Sequence, residues 1–223
     1  MNSGYTRIIT VDFHQGKSGI PSDWTGVLRS LLNLRIIGAT RYGWWSPEVF
    51  VQKHNIVDAK TTFSQIPGPV AIEVETGLVL GIANDIKLNS IVVWIEKDEV
   101  GGTRREQPLN ERKDLFPVDA LSSNFASDCW HRVIDASIES ISVYVRRPQN
   151  VLYENRPNQA GLCFRLSTGE KLIFAHSLQS DMEEFVLISD TAISKRVRSE
   201  LRELSLDELT ALQAFGVGRR SVD

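Results

Sequence analysis

Several features that mark particular protein classes are missing from this 223-residue sequence. Its two cysteines, Cys129 and Cys163, are too few for a disulfide framework. No apolar run approaches the roughly 18 residues that span a bilayer. The N-terminus has no basic segment followed by an apolar stretch and a small-residue cleavage site. These absences predict a soluble protein of the reducing cytoplasm.

Motifs of catalysis and of metal binding are also scarce. There is no P-loop, no GxGxxG after a strand, no nucleophile elbow and no kinase signature. The four histidines form neither HxH nor HExxH, so we predict no metal and no cofactor. A net charge of −3 and a pI near 5.9 give no electrostatic case for nucleic-acid binding.

What the sequence does contain is a β-hairpin pattern that occurs twice. In Gly161–His176, apolar residues alternate with polar ones on both sides of Thr168-Gly169, where glycine allows a turn with positive φ. Val70–Asn84 repeats this pattern 92 residues earlier, with its turn at Thr76-Gly77. The predicted core set of the first hairpin, matched in order by that of the second, is Val70, Ile72, Val74, Leu80 and Ile82, then Leu162, Phe164, Leu166, Leu172 and Phe174.

The repeat extends on both sides of the hairpins. Leu34–Thr40 aligns with His131–Ser137 at a separation of 97 residues, and each hairpin is followed by an apolar run, at 91–95 and at 185–188. Each copy therefore reads as strand, strand, hairpin, strand. In the second strand of copy two, we expect Ile138, Ser140, Ser142 and Tyr144 on one face, opposite Ile141, Val143 and Val145.

Helices are predicted at both ends of the chain. A first strand at Arg7–Phe13 precedes a helix at Asp23–Asn33 with Ser22 as its N-cap. Near the C-terminus, Ile193, Val197, Leu201 and Leu204 follow helical spacing. Ser205 and Glu208 form a capping-box pattern for a second helix through about Phe215.

We therefore predict an α+β protein, mainly antiparallel β, with two tandem copies of a β-meander unit, an N-terminal strand-helix and C-terminal helices. The segments are 1–95, a linker at 96–125, a second unit at 126–190 and the helices at 191–223. Both units carry an apolar face, so we expect them to pack as one compact body.

Two groups of residues are candidates for catalysis. Glu73 and Glu75 share one face of a strand, and paired carboxylates perform acid–base or metal chemistry. Cys129, His131 and His176 are candidates for a thiol or metal site. For each group the alternative is structural, as a solvated strand face or as core cysteine and partly buried histidines. Trp44 and Trp45, with Tyr42, belong either to the core or to a binding face.

The second copy resembles immunity proteins of bacterial polymorphic-toxin and contact-dependent inhibition systems. The resemblance lies in Trp130-His-Arg-Val133-Ile134, the Gly161 hairpin with its Thr168-Gly169 turn, and the apolar strand at Glu184–Ile188. It implies a non-catalytic protein that binds one cognate toxin domain, and it supplies no catalytic residue.

A toxin with a basic cleft, such as a nuclease, would be attracted by acidic loops. The acidic candidates for partner binding are Asp98, Glu99, Asp181, Glu183 and Glu184. The alternatives are a small hydrolase-like enzyme that uses Glu73/Glu75 or Cys129/His131/His176, and a pseudo-symmetric structural adaptor.

Overall fold

The computed structural model describes residues 18–103, 107–178 and 185–214. The predicted strand at Arg7–Phe13 lies outside these ranges. The fold is α+β and consists mainly of antiparallel strands in two sheets, so the predicted fold class is confirmed.

Within the described residues, each sheet has five strands. The first contains β1 (Ile36–Gly43), β2 (Val70–Val74), β3 (Val79–Asp85), β4 (Ser90–Lys97) and β5 (Phe116–Asp119), in the order β4-β3-β2-β1-β5. The second contains β6 (Ile138–Arg146), β7 (Gln159–Leu166), β8 (Lys171–His176), β9 (Phe185–Ile188) and β10 (Leu201–Ser205), in the order β10-β6-β7-β8-β9. Read in reverse, the second order is β9-β8-β7-β6-β10, which corresponds position by position to β4-β3-β2-β1-β5. Each of these strands therefore has a counterpart in the other sheet.

The described helices are short. They are α1 (Thr25–Ser30), α2 (Pro47–His54), α3 (Thr62–Gln65), α4 (Trp130–Val133), α5 (Lys195–Arg198) and α6 (Leu206–Ala214). Single 3₁₀ turns lie at Pro21–Trp24, Ala59–Thr61, Leu109–Glu111, Val151–Tyr153 and Asp190–Ala192.

The two hairpins match residue by residue. Ile72 pairs with Leu80 in the first, and Phe164 pairs with Leu172 in the second, at the predicted separation of 92 residues. Gly77 has φ +86° and Gly169 has φ +83°, the left-handed region that favours glycine. The predicted equivalence of the two turns is confirmed.

The first strands of the two halves match at a separation different from the predicted one. Ile36 pairs with Val74 and Ile138 pairs with Leu166, and a β-bulge follows both Ile36 and Ile138. These positions are 102 residues apart. The alignment at 97 residues is therefore wrong, because the Trp130–Val133 stretch that it uses forms helix α4.

The bulge also corrects the predicted faces of β6. A bulge adds one residue to a strand and so reverses the side on which the following residues lie. Ile138 consequently faces the same core as Ile141 and Val143, whereas Tyr144 lies on the other face.

One core joins the two halves. The ten hairpin residues predicted as core all belong to it, together with Leu28 of α1, Trp130 of α4 and Leu209 of α6. Phe164 and Phe174 are fully buried there, with their rings 5.3 Å apart in an edge-to-face arrangement.

Segment 96–125, interpreted from its sequence as a linker, belongs largely to the first sheet. Its β5 pairs with β1, and Leu109 and Leu115 are buried against the outer face of the sheet. The Glu96 carboxylate holds this cover in place, because it accepts hydrogen bonds from the Trp94 indole at 2.6 Å and from the Leu109 backbone at 2.5 Å.

The predicted first C-terminal helix is wrong, whereas the second is confirmed. Ile193 and Val197 pack on the outer face of the second sheet, but residues 201–205 form the edge strand β10. Apolar spacing alone did not separate a short helix followed by a strand from one continuous helix. Helix α6 then begins as expected, with Ser205 N donating to Glu208 Oε2 and Glu208 N donating to Ser205 Oγ.

Ser22 has a different role from the predicted N-cap. It lies inside the 3₁₀ turn at Pro21–Trp24, and no side chain caps the start of α1. Instead its amide and hydroxyl both bond the side chain of Gln159 on β7, at 3.0 and 2.7 Å. This contact ties the N-terminal turn to the second half.

Candidate partner-binding face

The two halves are related by an approximate twofold axis. Arg35 and Ser137, which are 102 residues apart, form an isolated antiparallel bridge with each other. The backbone bonds around it come in matched pairs, Asn33 N–Ile138 O with Asp135 N–Ile36 O, and Ile36 N–Ala136 O with Ile138 N–Leu34 O. A position that pairs with its own counterpart lies at a twofold axis. The axis therefore passes between Arg35 and Ser137.

The two hairpin turns lie on either side of this axis. Glu75 N donates to Arg35 O at 3.0 Å, and Ser167 N donates to Ser137 O at 2.9 Å. Glu75 and Ser167 are thus separated by three interstrand spacings, or about 14 Å. The turns that follow them share one surface, which we call the axial face. It comprises residues 75–78, 97–103 and 167–171.

A hairpin at 97–103 projects beside the first turn, and we call it the acidic hairpin because its two carboxylates, Asp98 and Glu99, outnumber its one cation, Lys97. Lys97 pairs with Thr103, Gly101 N donates to Asp98 O at 3.0 Å, and Gly102 N donates to the Asp98 carboxylate at 2.7 Å. These bonds fix the backbone of the tip, and they leave Glu99 and Val100 exposed, Val100 to 93%. The tip touches the first turn, because a Cβ on Gly77 would lie 3.7 Å from the Glu99 carbonyl.

Of the predicted partner-binding residues, Asp98 and Glu99 therefore lie on this tip. Asp98 shapes the turn and Glu99 presents its charge to solvent. Asp181, Glu183 and Glu184 lie outside the described residues.

Of the carboxylate pair Glu73 and Glu75, Glu75 is engaged by Arg35. Glu75 accepts from Arg35 Nε at 2.7 Å and from Arg35 N at 3.1 Å. These hydrogen bonds lower the pKa of the Glu75 carboxyl. Such a carboxylate is a poor proton acceptor, so the arrangement favours a structural role at the axis over acid–base chemistry.

A cleft opens beside the second turn. It has a volume of about 450 Å³ and lies between α4, the turn at Gly169 and the end of β9. Its apolar walls are Trp130, Val133, Leu172 and Leu187, and its hydroxyl-bearing residues are Ser64, Ser189 and Thr191. The charged residues of its lining are Arg132, Arg165, Lys171 and Glu170. Two of the lining residues form an ion pair, in which Arg132 Nε donates to Glu170 Oε1 at 2.6 Å.

Of the three residues considered for a thiol or metal site, Cys129 and the exposed His131 both lie at the start of α4, whereas His176 is remote from them. Cys129 lines the cleft with Lys171, at the start of β8. His176 is at the far end of that strand, about 16 Å from Lys171 by the rise of five strand residues. The Cys129 thiol instead lies 2.8 Å from the Ser127 hydroxyl.

His176 belongs to a buried chain of amides. Its Nδ1 lies 3.2 Å from Asn84 Nδ2, and its Nε2 lies 3.2 Å from Asn89 Oδ1. Asn89 donates in turn to Asn158 at 2.7 Å. Since Asn84 donates and Asn89 accepts, the ring is neutral with its proton on Nε2. Burial lowers the pKa of His176 to about 4.

The two tryptophans left open by the sequence have separate roles. Trp44 and Tyr42 pack against the outer-face cluster of the first sheet, and the Arg112 guanidinium lies 5.8 Å from the Trp44 ring. Trp45 contacts α2, where Lys53 Nζ lies 4.4 Å from its ring. Trp44 is therefore partly buried against the outer face of the first sheet.

The sequence did not identify Val100 or the Arg132–Glu170 pair. A signal was present for the hairpin tip, because Asp98 and Gly101 are the residue types favoured at the first and fourth positions of a tight turn. For the ion pair there was no such signal, since Arg132 and Glu170 meet only through the packing of α4 on the hairpin.

Among the described residues, no three His, Cys, Asp or Glu side chains are arranged to hold a metal ion. Within the same ranges no helix has the length and hydropathy to cross a membrane. The chain matches no family model, no curated protein and no solved structure.

Proposed function

We propose that this chain is a non-catalytic cytoplasmic protein that binds and neutralises a cognate toxin domain, and that it does so through the axial face. The observation that carries the proposal is the acidic hairpin at 97–103. Its backbone is fixed by its own hydrogen bonds, whereas Glu99 and Val100 point away from the body.

Such a tip suits a protein partner for two reasons. A preorganised loop loses little conformational freedom on binding, so more of its contact energy contributes to affinity. The acidic Glu99 beside an exposed valine combines electrostatic attraction with apolar contact. A toxin whose active cleft is basic, such as a nuclease, has the complementary charge.

The two alternative functions have less support. Glu75 is bonded to Arg35, and His176 is bonded to two asparagines at a distance from Cys129, which weighs against both catalytic candidates. A symmetric adaptor would present like surfaces on both halves. Here one half presents the acidic hairpin, and the other presents a cleft at the equivalent turn.

The proposal is tested first by genomic context, because the absence of a toxin gene beside this one would count against it, and then by co-expression with the toxin domain found there. We expect the chain to restore growth of a bacterial host and to co-elute with the toxin domain as a stable complex. A toxin that remains fully active beside an equimolar amount of folded chain would overturn the proposal.

A further inference from the structure

The cleft beside the second turn has a counterpart in the first half that is filled from within. Leu78 and Glu170 follow the two turn glycines at equivalent positions. Their carbonyls accept equivalent bonds, from Val74 N at 3.0 Å and from Leu166 N at 2.9 Å. The backbone is therefore the same at the two positions, and the side chains differ.

The two side chains point to different environments. Leu78 is only 7% exposed and belongs to the shared core. Glu170 bonds Arg132 instead, and its side chain is 31% exposed. The second half thus lacks the aliphatic group that the first half buries here, and the 450 Å³ cleft lies at this place.

We propose that this cleft binds an aliphatic side chain of leucine size, presented by the partner polypeptide. Its volume of about 450 Å³ lies within the range typical of ligand sites and exceeds that of one leucine side chain, so the cleft also has room for the backbone that carries the side chain. Apolar walls match such a side chain, and the hydroxyls of Ser64, Ser189 and Thr191 are suited to the polar backbone of the same segment.

The position of the cleft explains why a polypeptide is its ligand. The turn at Gly169 lies on the axial face, about 14 Å from the turn that supports the acidic hairpin. One protein surface spans that distance easily. The inference rests on the proposed function for the identity of the partner, but the preference of the cleft for an aliphatic group is independent of it.

The test uses two small probes and two variants. N-acetyl-leucinamide stands for a leucine within a chain, and N-acetyl-alaninamide is its matched control. In ¹H–¹⁵N spectra of the full chain, we expect N-acetyl-leucinamide to shift the amide signals of Gly169, Leu172 and Thr191. It should bind about tenfold or more tightly than the alanine probe, because each buried methylene contributes to affinity.

Glu170→Leu places in the second half the residue that the first half buries. It should raise the melting temperature by roughly 2–4 °C and abolish binding of the leucine probe. Glu170→Gln is the matched control, since it removes the ion pair with Arg132 but leaves the cleft open. It should keep probe binding near the wild-type level.

Equal shifts from both probes, or unchanged probe binding by Glu170→Leu, would overturn the inference. If Glu170→Leu fails to fold, the two probes on the wild-type chain still decide the matter. Toxin binding separates the two proposals. A chain that binds toxin but not the leucine probe disproves only the cleft, and one that binds the probe but no toxin disproves the proposed function.

Discussion

Asn84 and His176 occupy equivalent positions in the two sheets, 92 residues apart, and they hydrogen-bond to each other at 3.2 Å. Arg35 and Ser137 also face each other near the hairpin turns, as the centre of a bridge whose hydrogen bonds are made by the residues on either side of them. Two self-paired positions define a line, so the pseudo-twofold axis runs from the axial face to the buried amide chain. The equivalent position carries an amide in one half and an imidazole in the other, so the halves have diverged at their junction.

Acid should destabilise the protein through His176. Its pKa in the folded state is about 4, below the usual value of 6.5, because burial disfavours the charged ring. Between these values the unfolded chain takes up a proton that the folded chain does not. The free energy of unfolding should therefore fall as the pH decreases from about 6.5 to about 4, by about 3 kcal/mol in total.

The measurement is urea unfolding across that pH range for the wild type and His176→Gln. Glutamine has an amide that can bond Asn84 and Asn89 but does not titrate. The free energy of unfolding of His176→Gln should therefore depend less on pH than that of the wild type. Parallel profiles for His176→Gln and the wild type would show that His176 does not titrate in this range.

The two turn glycines should respond alike to alanine. Both have positive φ, and nothing lies within 3.4 Å of a Cβ built on either, so the backbone conformation alone sets the penalty. Gly77→Ala and Gly169→Ala should each lower the free energy of unfolding by about 1–2 kcal/mol.

Gly26→Ala is the opposite control. Gly26 lies inside α1, and no atom lies within 4 Å of the place that an added Cβ would occupy. Alanine there should therefore stabilise the protein by about 0.5–1 kcal/mol. Thermal unfolding of the three variants decides the point. A loss at only one of the two turns would contradict their equivalence.

The centre of the second hairpin should be sensitive to truncation. Phe164 is fully buried against Phe174, so Phe164→Ala should cost about 3–5 kcal/mol through lost burial and a cavity. Phe116→Ala, at a 42% exposed position on β5, should cost less than about 1 kcal/mol. Denaturant titrations giving similar losses for the two variants would show that the faces of the hairpin are assigned incorrectly.

The sequence predicted those parts of the fold that depend on local patterns. The hairpins followed from alternation on both sides of Gly77 and Gly169, and the start of α6 followed from Ser205 and Glu208. Each of these signals lies within a few residues of the structure that it specifies, so no tertiary information was needed.

Features that depend on contacts distant in sequence were missed. The β-bulge after Ile138 shifts the strand without changing its composition, and β5 is defined by its pairing with β1. The sequence indicated Glu99 as an acidic candidate from its residue type alone. It gave no sign of the cleft, because α4 and the second hairpin form it together.

The most direct test of the proposed function is the rate at which the chain associates with its toxin. Asp98→Asn/Glu99→Gln removes two charges, and the asparagine oxygen can still accept the bond from Gly102 N. Glu48→Gln/Glu154→Gln removes two exposed charges elsewhere and serves as the matched control. Both variants should melt near the wild-type temperature, because Glu48, Glu99 and Glu154 are exposed and Asp98→Asn keeps the hydrogen bond of the turn.

Stopped-flow association at low and high salt provides the decisive comparison. If the acidic hairpin attracts the toxin, Asp98→Asn/Glu99→Gln should associate several-fold more slowly at low salt and show a weaker salt dependence, whereas the control should match the wild type. Equal rates for all three proteins at both salt concentrations would contradict the proposal that the axial face attracts the toxin through this hairpin.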